Sequence, residues 1–249
     1  MAKKRPELAI LARGTRWVII AKPPRLLVHR NAEHPNAYAA VQWLRNQLKQ
    51  WVYPVHRLDH AASGCLLFSL EQDYTRVLQA ALTAETSQKR YLAFVRGEHR
   101  LPSPLEIDRP MMDENGVLKE AFSTVYRLGA SADPRCSLLL VQPRTGRFHQ
   151  VRRHVRDLGH PIIGDTKHGD SKVNRWWREN YGMQRLGLHC LSLNTTTEDG
   201  EAITASCPLF DDMQPILGQM PWWEEACERL PELRTPCIHD ARDPNSEAA

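Results

Sequence analysis

The feature that most limits the fold is a succession of short β-rich apolar runs that follow one another with no helix between them. Phe122–Leu128 is followed by Ser137–Gln142, and Leu186–Leu193 by Ala202–Ser206. Runs of this length, bounded by turn residues, read as buried strands joined by tight connections. Trp17–Ala21, stopped by Lys22-Pro23-Pro24, and Gly64–Leu70 are of the same kind, and Arg90–Arg96 alternates until Gly97 closes it. Three segments carry a helical period instead. Asn36 caps one with apolar positions 37, 40, 41, 44 and 48. A second has Tyr74, Val77, Leu78, Ala81 and Leu82 on one face. The third, Arg147–Leu158, has Val151, Val155 and Leu158 inside and is stopped by Gly159-His160-Pro161. Leu101–Pro110 is Pro-rich and reads as an irregular surface connection. Strands outnumber helices, so the expected fold is α+β, a single domain with a central mixed, largely antiparallel sheet flanked by helices and loops.

A chain of 249 residues with 42% apolar residues buries a core without staples. Its apolar runs are far too short to span a bilayer, and no apolar segment follows the charged start, so neither a membrane span nor a secretory signal is expected. The six cysteines include no C-x-x-C, and the histidines no H-E-x-x-H. Reduced thiols, a cytoplasmic setting and no metal site follow as expectations. Net charge is only +4, yet Arg144–His189 holds ten Lys/Arg against four Asp/Glu, while Pro221–Ala249 holds three against seven. A basic block beside an acidic end points to a polyanion such as nucleic acid; by charge alone a solvated face is the readier explanation. The folded domain is set at residues 8–218. Residues 219–249 form an acidic C-terminal tail, partly disordered, with one helical turn near Trp222–Leu230.

Four motifs carry residues able to do chemistry. In His56-Arg57-Leu58-Asp59 a carboxylate precedes a buried strand; by spacing alone this is a surface turn in which Asp59 caps the backbone. Lys89-Arg90-Tyr91 opens a strand, where Tyr91 offers a flat face and a hydroxyl but by itself reads as core. Arg144 to His154 starts at a Thr-Gly turn and enters a helix with Arg147, His149 and Gln150 near its N-terminus, a place suited to phosphate and carboxylate. His160 to Asp170 is a turn-rich basic loop or a plain connector.

In this order, His-Arg-Leu-Asp, Lys-Arg-Tyr, Thr-Gly-Arg-x-His-Gln-x-Arg and Gly-His-Pro-Ile-Ile-Gly-Asp, with Lys22-Pro23 before and Leu188-His189 after, the chain resembles the RluA-type family of RNA pseudouridine synthases from about Val18 to Ser206. His160–Asp170, Asn174-Arg175 and Gly182–Leu186 look most like its C-type, tRNA-directed branch. The resemblance implies cleavage of the C1′–N1 bond of a uridine, rotation of the uracil and reattachment through C5, with no cofactor. It implies that Asp59 is the catalytic carboxylate, as nucleophile or as base, with Arg152 as its cationic partner and Tyr91 stacking on the uracil and taking the C5 proton. Arg57 would fill the space of the flipped base. Arg147, His149, Gln150, Arg153, Lys167 and Lys172 would bind RNA, and Leu188 would line the pocket.

Departures from the family pattern are Pro24-Arg25 for Ser-Gly, Phe148 for Thr or Lys, Arg153 for an apolar residue and Cys190 for Ala. No room precedes Val18 for an added RNA-binding module, which favours a compact tRNA-directed enzyme; a monomer is expected, and the C-type resemblance implies an acceptor/T-stem uridine of the uridine-65 type. A ribosomal RNA uridine is the alternative substrate. A non-catalytic RNA-binding protein is disfavoured by the presence of Asp59, Tyr91 and Arg152, and a glycoside hydrolase by the basic block, which is unsuited to neutral sugars.

Overall fold

Residues 7–30, 32 and 35–240 are described by the computed structural model, in which ten strands make one mixed sheet. In chain order the elements are β1 (Ile10–Arg13), β2 (Trp17–Lys22), α1 (Ala40–Leu48), β3 (Tyr53–Pro54), β4 (Ser63–Ser69), α2 (Tyr74–Thr83) and β5 (Gln88–Arg96). Then come β6 (Leu105–Asp108), a separate small hairpin of β7 (Met111–Met112) and β8 (Leu118–Lys119), β9 (Phe122–Ala132) and β10 (Arg135–Pro143). Helices α3 (Gln150–Asp157) and α4 (Ser171–Tyr181) precede β11 (Leu188–Thr196) and β12 (Ala202–Ser206). The chain continues through α5 (Gln214–Leu217), α6 (Trp223–Arg229) and a 3-10 turn at Pro231–Arg234.

The sheet order is β1-β2-β4-β11-β5-β10-β9-β6, with β3 added on β4 and β12 on β11. Every pairing is antiparallel except β4 with β11, so the expected mixed, largely antiparallel sheet is what forms. The parallel joint aligns Gly64, Cys190, Tyr91 and Val141 as one row across four neighbouring strands. Segments far apart in sequence thereby meet at one place on the sheet. Gly64 has φ +113°, and a Cβ there would run into the Cys190 backbone, so the close approach of the two strands requires glycine.

Several expectations are corrected. Asn36 lies in a turn, and α1 begins at Ala40, with the Ala39 amide donating to the Gln42 side chain at 3.2 Å. Leu101–Pro110 is not wholly irregular. Leu105–Asp108 forms the edge strand β6 on β9, between two prolines that an edge tolerates. The third helix starts at Gln150, three residues later than expected, because His149 adopts φ 54° at its N-cap. Helix α4 has no counterpart among the expected elements. The acidic segment after 218 is no detached tail as far as residue 240. Trp222, Ala226, Cys227, Leu230 and Leu233 are buried with Leu128 and Leu138, and Glu232 pairs with Arg90 at 2.7 Å. The expected disorder of the last residues falls on 241–249, outside the described residues. Within the described residues no helix is long and apolar enough to cross a membrane.

Candidate active site

Asp59 sits on the loop between β3 and β4, and that loop is fixed from below. Leu58 is buried, the Ala62 amide donates to the Asp59 carbonyl at 3.1 Å, and the buried Lys22 ammonium donates to the carbonyls of Pro23, Leu26 and His60. His56 accepts from the Leu67 amide at 3.1 Å. Asp59 itself remains 19% exposed at the wall of a cleft of about 300 Å³, a volume at the small end for ligand pockets.

The start of α3 lines the same cleft. Gln150 is buried and makes four hydrogen bonds. Its carbonyl oxygen accepts from the Arg147 amide and the Thr145 hydroxyl, and its amide nitrogen donates to the Phe122 carbonyl and the Ser123 hydroxyl. No capacity is left for RNA, so Gln150 shapes the Thr-Gly turn rather than touching substrate.

Arg152, two residues further, is the centre of the site. Its Nη1 donates to Asp59 Oδ2 at 2.9 Å. Its planar fork is given to another acid: Nε and Nη2 donate to the two oxygens of Asp165 at 2.8 and 2.7 Å. The two-point clamp therefore closes on Asp165, and Asp59 receives a single N–H. Asp59 Oδ1 accepts no hydrogen bond from any described residue. Asp165 is 1% exposed. Burial alone would raise its pKa, but Arg152 and the amides of His168 and Lys167 outweigh it and hold the carboxyl below its ordinary range.

His149 completes the network. Its Nε2 lies 2.8 Å from Arg152 Nη1 and 3.8 Å from Asp59 Oδ2, and its Nδ1 lies 2.9 Å from His168 Nε2. Burial, opposed by Asp59 and reinforced by Arg152, lowers its pKa to about 4, so the ring is neutral at pH 7. A guanidinium only donates; Nε2 is therefore the acceptor, the proton sits on Nδ1, and Nδ1 donates to His168. His149 thus buttresses Arg152 instead of facing phosphate.

Four rings, His99 and His189 fully buried and His56 and His149 partly so, have pKa values lowered from 6.5 to about 4, first of all by burial. As pH falls below 6.5 the unfolded chain takes up these protons and the folded protein does not. Stability is then complete at neutral pH and declines toward pH 4, by up to about 1.4 kcal/mol per pH unit for each fully buried ring. Urea midpoints at pH 7, 6 and 5 should fall in step, and a flat profile would contradict the neutral buried rings.

Tyr91 on β5 lines the cleft together with Leu188, Ala62 and Val151. Burial, then Cys190 and Asp59, raise its hydroxyl pKa well above the ordinary value, so it rests as a phenol, a flat face and a donor, and not as a phenolate base. Lys89 also lines the cleft and donates to the Leu82 carbonyl at 3.1 Å, with its pKa lowered by burial. The alternation of a strand puts Lys89 beside Tyr91 and Arg90 on the other face, a signal present in the sequence but unread.

Of the expected RNA contacts, Arg57 and Arg147 lie exposed at the rim, Arg147 donating to the Glu120 carbonyl at 2.8 Å. Phe148 stacks on His149, with centroids 3.7 Å apart, and both Arg57 and Lys167 lie over its ring. Arg153 turns to the Met112 carbonyl, and Lys172 stands on α4; neither lines the cleft. Among the described residues, no group of three or more His, Cys, Asp or Glu is placed to hold a metal ion.

The model of the RNA pseudouridylate synthase family matches residues 16–157, a span that holds Asp59, Tyr91 and Arg152, and the chain belongs to that family of isomerases. More particularly, it is 37% identical over 237 residues to tRNA pseudouridine synthase C of Haemophilus ducreyi, covering 87% of this chain and 97% of the relative. With tRNA pseudouridine synthase C of Vibrio cholerae the identity is 34% over 242 residues, with the same coverage. The solved structure of human RNA pseudouridylate synthase domain containing 1 matches with a TM-score of 0.68 at 21% identity, over 98% of this chain and all of that one, a likeness of fold.

Proposed function

We propose that the enzyme isomerises a tRNA uridine in the acceptor/T-stem region, of the uridine-65 type, with Asp59 as the carboxylate that acts at C1′. The observation that carries this reading is the position of Asp59 in the cleft. One oxygen is held by Arg152, the other accepts no hydrogen bond from any described residue, and Tyr91 lines the same cleft. The tRNA substrate is taken from the names of the relatives.

The target uridine must leave its stack to enter so small a cleft, at a cost of a few kcal/mol. The uracil then lies against Tyr91, with Leu188 and Ala62 as apolar wall. Asp59 acts at C1′ as nucleophile or at the sugar as base, and the Arg152 guanidinium holds one of its oxygens in place. The C1′–N1 bond breaks with its electron pair on N1. The uracil turns and C5 bonds to C1′, in the nucleophile route displacing the Asp59 carboxylate. The C5 proton passes to water and N1 takes one up, so the isomerisation is neutral in protons. Arg57, exposed at the rim, fills the gap in the RNA; Arg147 and Lys167 meet phosphates.

Mapping pseudouridine by primer extension in an unmodified tRNA transcript treated with the protein is the test. One new pseudouridine in the acceptor or T-stem is expected. A tRNA left unmodified while a ribosomal RNA transcript is modified would overturn the substrate assignment and leave the chemistry standing.

A further inference from the structure

Of the ten Lys and Arg residues between Arg144 and His189, six are held by neighbouring carboxylates or carbonyls. The other four, Lys167, Lys172, Arg175 and Arg178, are exposed, follow one another in the chain, and make no ion pair with any described residue. Three of them ride on α4. The 3.6-residue period turns Val173, Trp177 and Tyr181 to the core and leaves Lys172, Arg175, Trp176 and Arg178 on the outer side, with Trp176 44% exposed. Cations three residues apart on a helix repel one another. Glu179 is set four residues after Arg175 and does not pair with it. A merely solvated face gains nothing from this pattern; a polyanion lying across it removes the repulsion.

The face is also fixed relative to the chemistry. Asp170 caps α4 by accepting from the amides of Lys172 and Val173 at 2.8 and 3.3 Å. Asn174, buried, accepts from the Gly164 amide at 2.8 Å and donates to the Asp165 carbonyl at 2.9 Å. The Asp165 carboxylate holds Arg152. One short loop thus joins the outer face of α4 to the catalytic pair, and all of it lies beyond the residues 16–157 matched by the family model.

We infer that α4 is a second RNA-binding face, which takes the phosphate backbone of the substrate outside the reaction cleft on Lys172, Arg175 and Arg178, with Trp176 packed on a ribose or base. This rests on the proposal that the substrate is an RNA. The test compares the affinity of wild type and of a Lys172→Ala/Arg175→Ala/Arg178→Ala variant for an unmodified tRNA transcript as salt is varied. Loss of three phosphate contacts should weaken binding on the order of 100-fold near 0.1 M salt and flatten the log–log salt slope by about 3. An Arg175→Lys/Arg178→Lys variant keeps the charges and should keep the slope, which separates charge from folding. Trp176→Ala should weaken binding about 10-fold with the slope unchanged.

A ribosomal RNA transcript is titrated in parallel. Wild-type preference for it would remove the tRNA assignment, and the α4 prediction is then read on that RNA. If the triple alanine variant keeps the wild-type slope and affinity on both RNAs, α4 is not an RNA surface.

Discussion

Exchanging Asp59 for Asn is expected to leave a folded, RNA-binding protein that forms no pseudouridine. The substitution changes no shape, and Arg152 keeps its two-point hold on Asp165, so the buried network loses only one charged acceptor. Asp59 is partly exposed in the free protein, which keeps the cost in stability small. The chemistry has no such reserve. An amide can neither attack C1′ nor accept a proton from the sugar, and no second carboxylate lines the cleft; Asp165 faces the far side of Arg152. The rate should fall on the order of 10⁴-fold or more, as when a nucleophile is removed. Release of tritium from C5-labelled uridine in tRNA under single-turnover conditions reads this directly, with melting temperature and RNA affinity measured alongside. A folded variant that keeps more than about one per cent of the rate would take Asp59 out of the reaction.

How far the sequence reveals this arrangement depends on what each signal measures. The long strands are legible because burial on a sheet demands continuous or alternating apolar residues, and β2, β4, β5, β10 and β11 have them. Strand β6 escapes because Pro-rich flanks mask a short alternation in which Ile107 is buried while Glu106 and Asp108 are exposed. Helix α4 escapes although its cap Asp170, its inner positions Val173, Trp177 and Tyr181 and its closing Gly182 at φ 71° are all in view. The turn-rich run before it draws the whole segment into a loop. After 218 the helical turn expected near Trp222–Leu230 forms as α6, but acidic composition hides the burial of Trp222, Ala226, Leu230 and Leu233. Asp59, Tyr91 and Arg152 are reached through the order of motifs and not through spacing. Sequence can name Arg152 as the partner of an acid. It cannot say which acid receives the fork, because that depends on where the loop after α3 returns.

That return makes Asp165 the most consequential residue beyond the span matched by the family model, and Asp165→Asn is expected to damage both stability and rate. Arg152 and Asp165 are 8% and 1% exposed, and removing one charge of such a buried pair strands the other at a cost of about 3–5 kcal/mol. Asn would still accept from the amides of Lys167 and His168, but its NH₂ would face a guanidinium that only donates. The freed fork has one carboxylate within reach. Closing both N–H groups on Asp59 would occupy the oxygen left unpartnered for the reaction, so kcat should fall on the order of 100-fold, the scale of a misplaced catalytic group. RNA affinity, set by exposed cations, should change little. Measured well below the lowered melting temperature, a variant with full kcat would make Asp165 a purely structural anchor. A variant with unchanged urea midpoint would show that Arg152 finds its counter-charge elsewhere, and the coupling from α4 through the Asp165 loop to Asp59 would go with it.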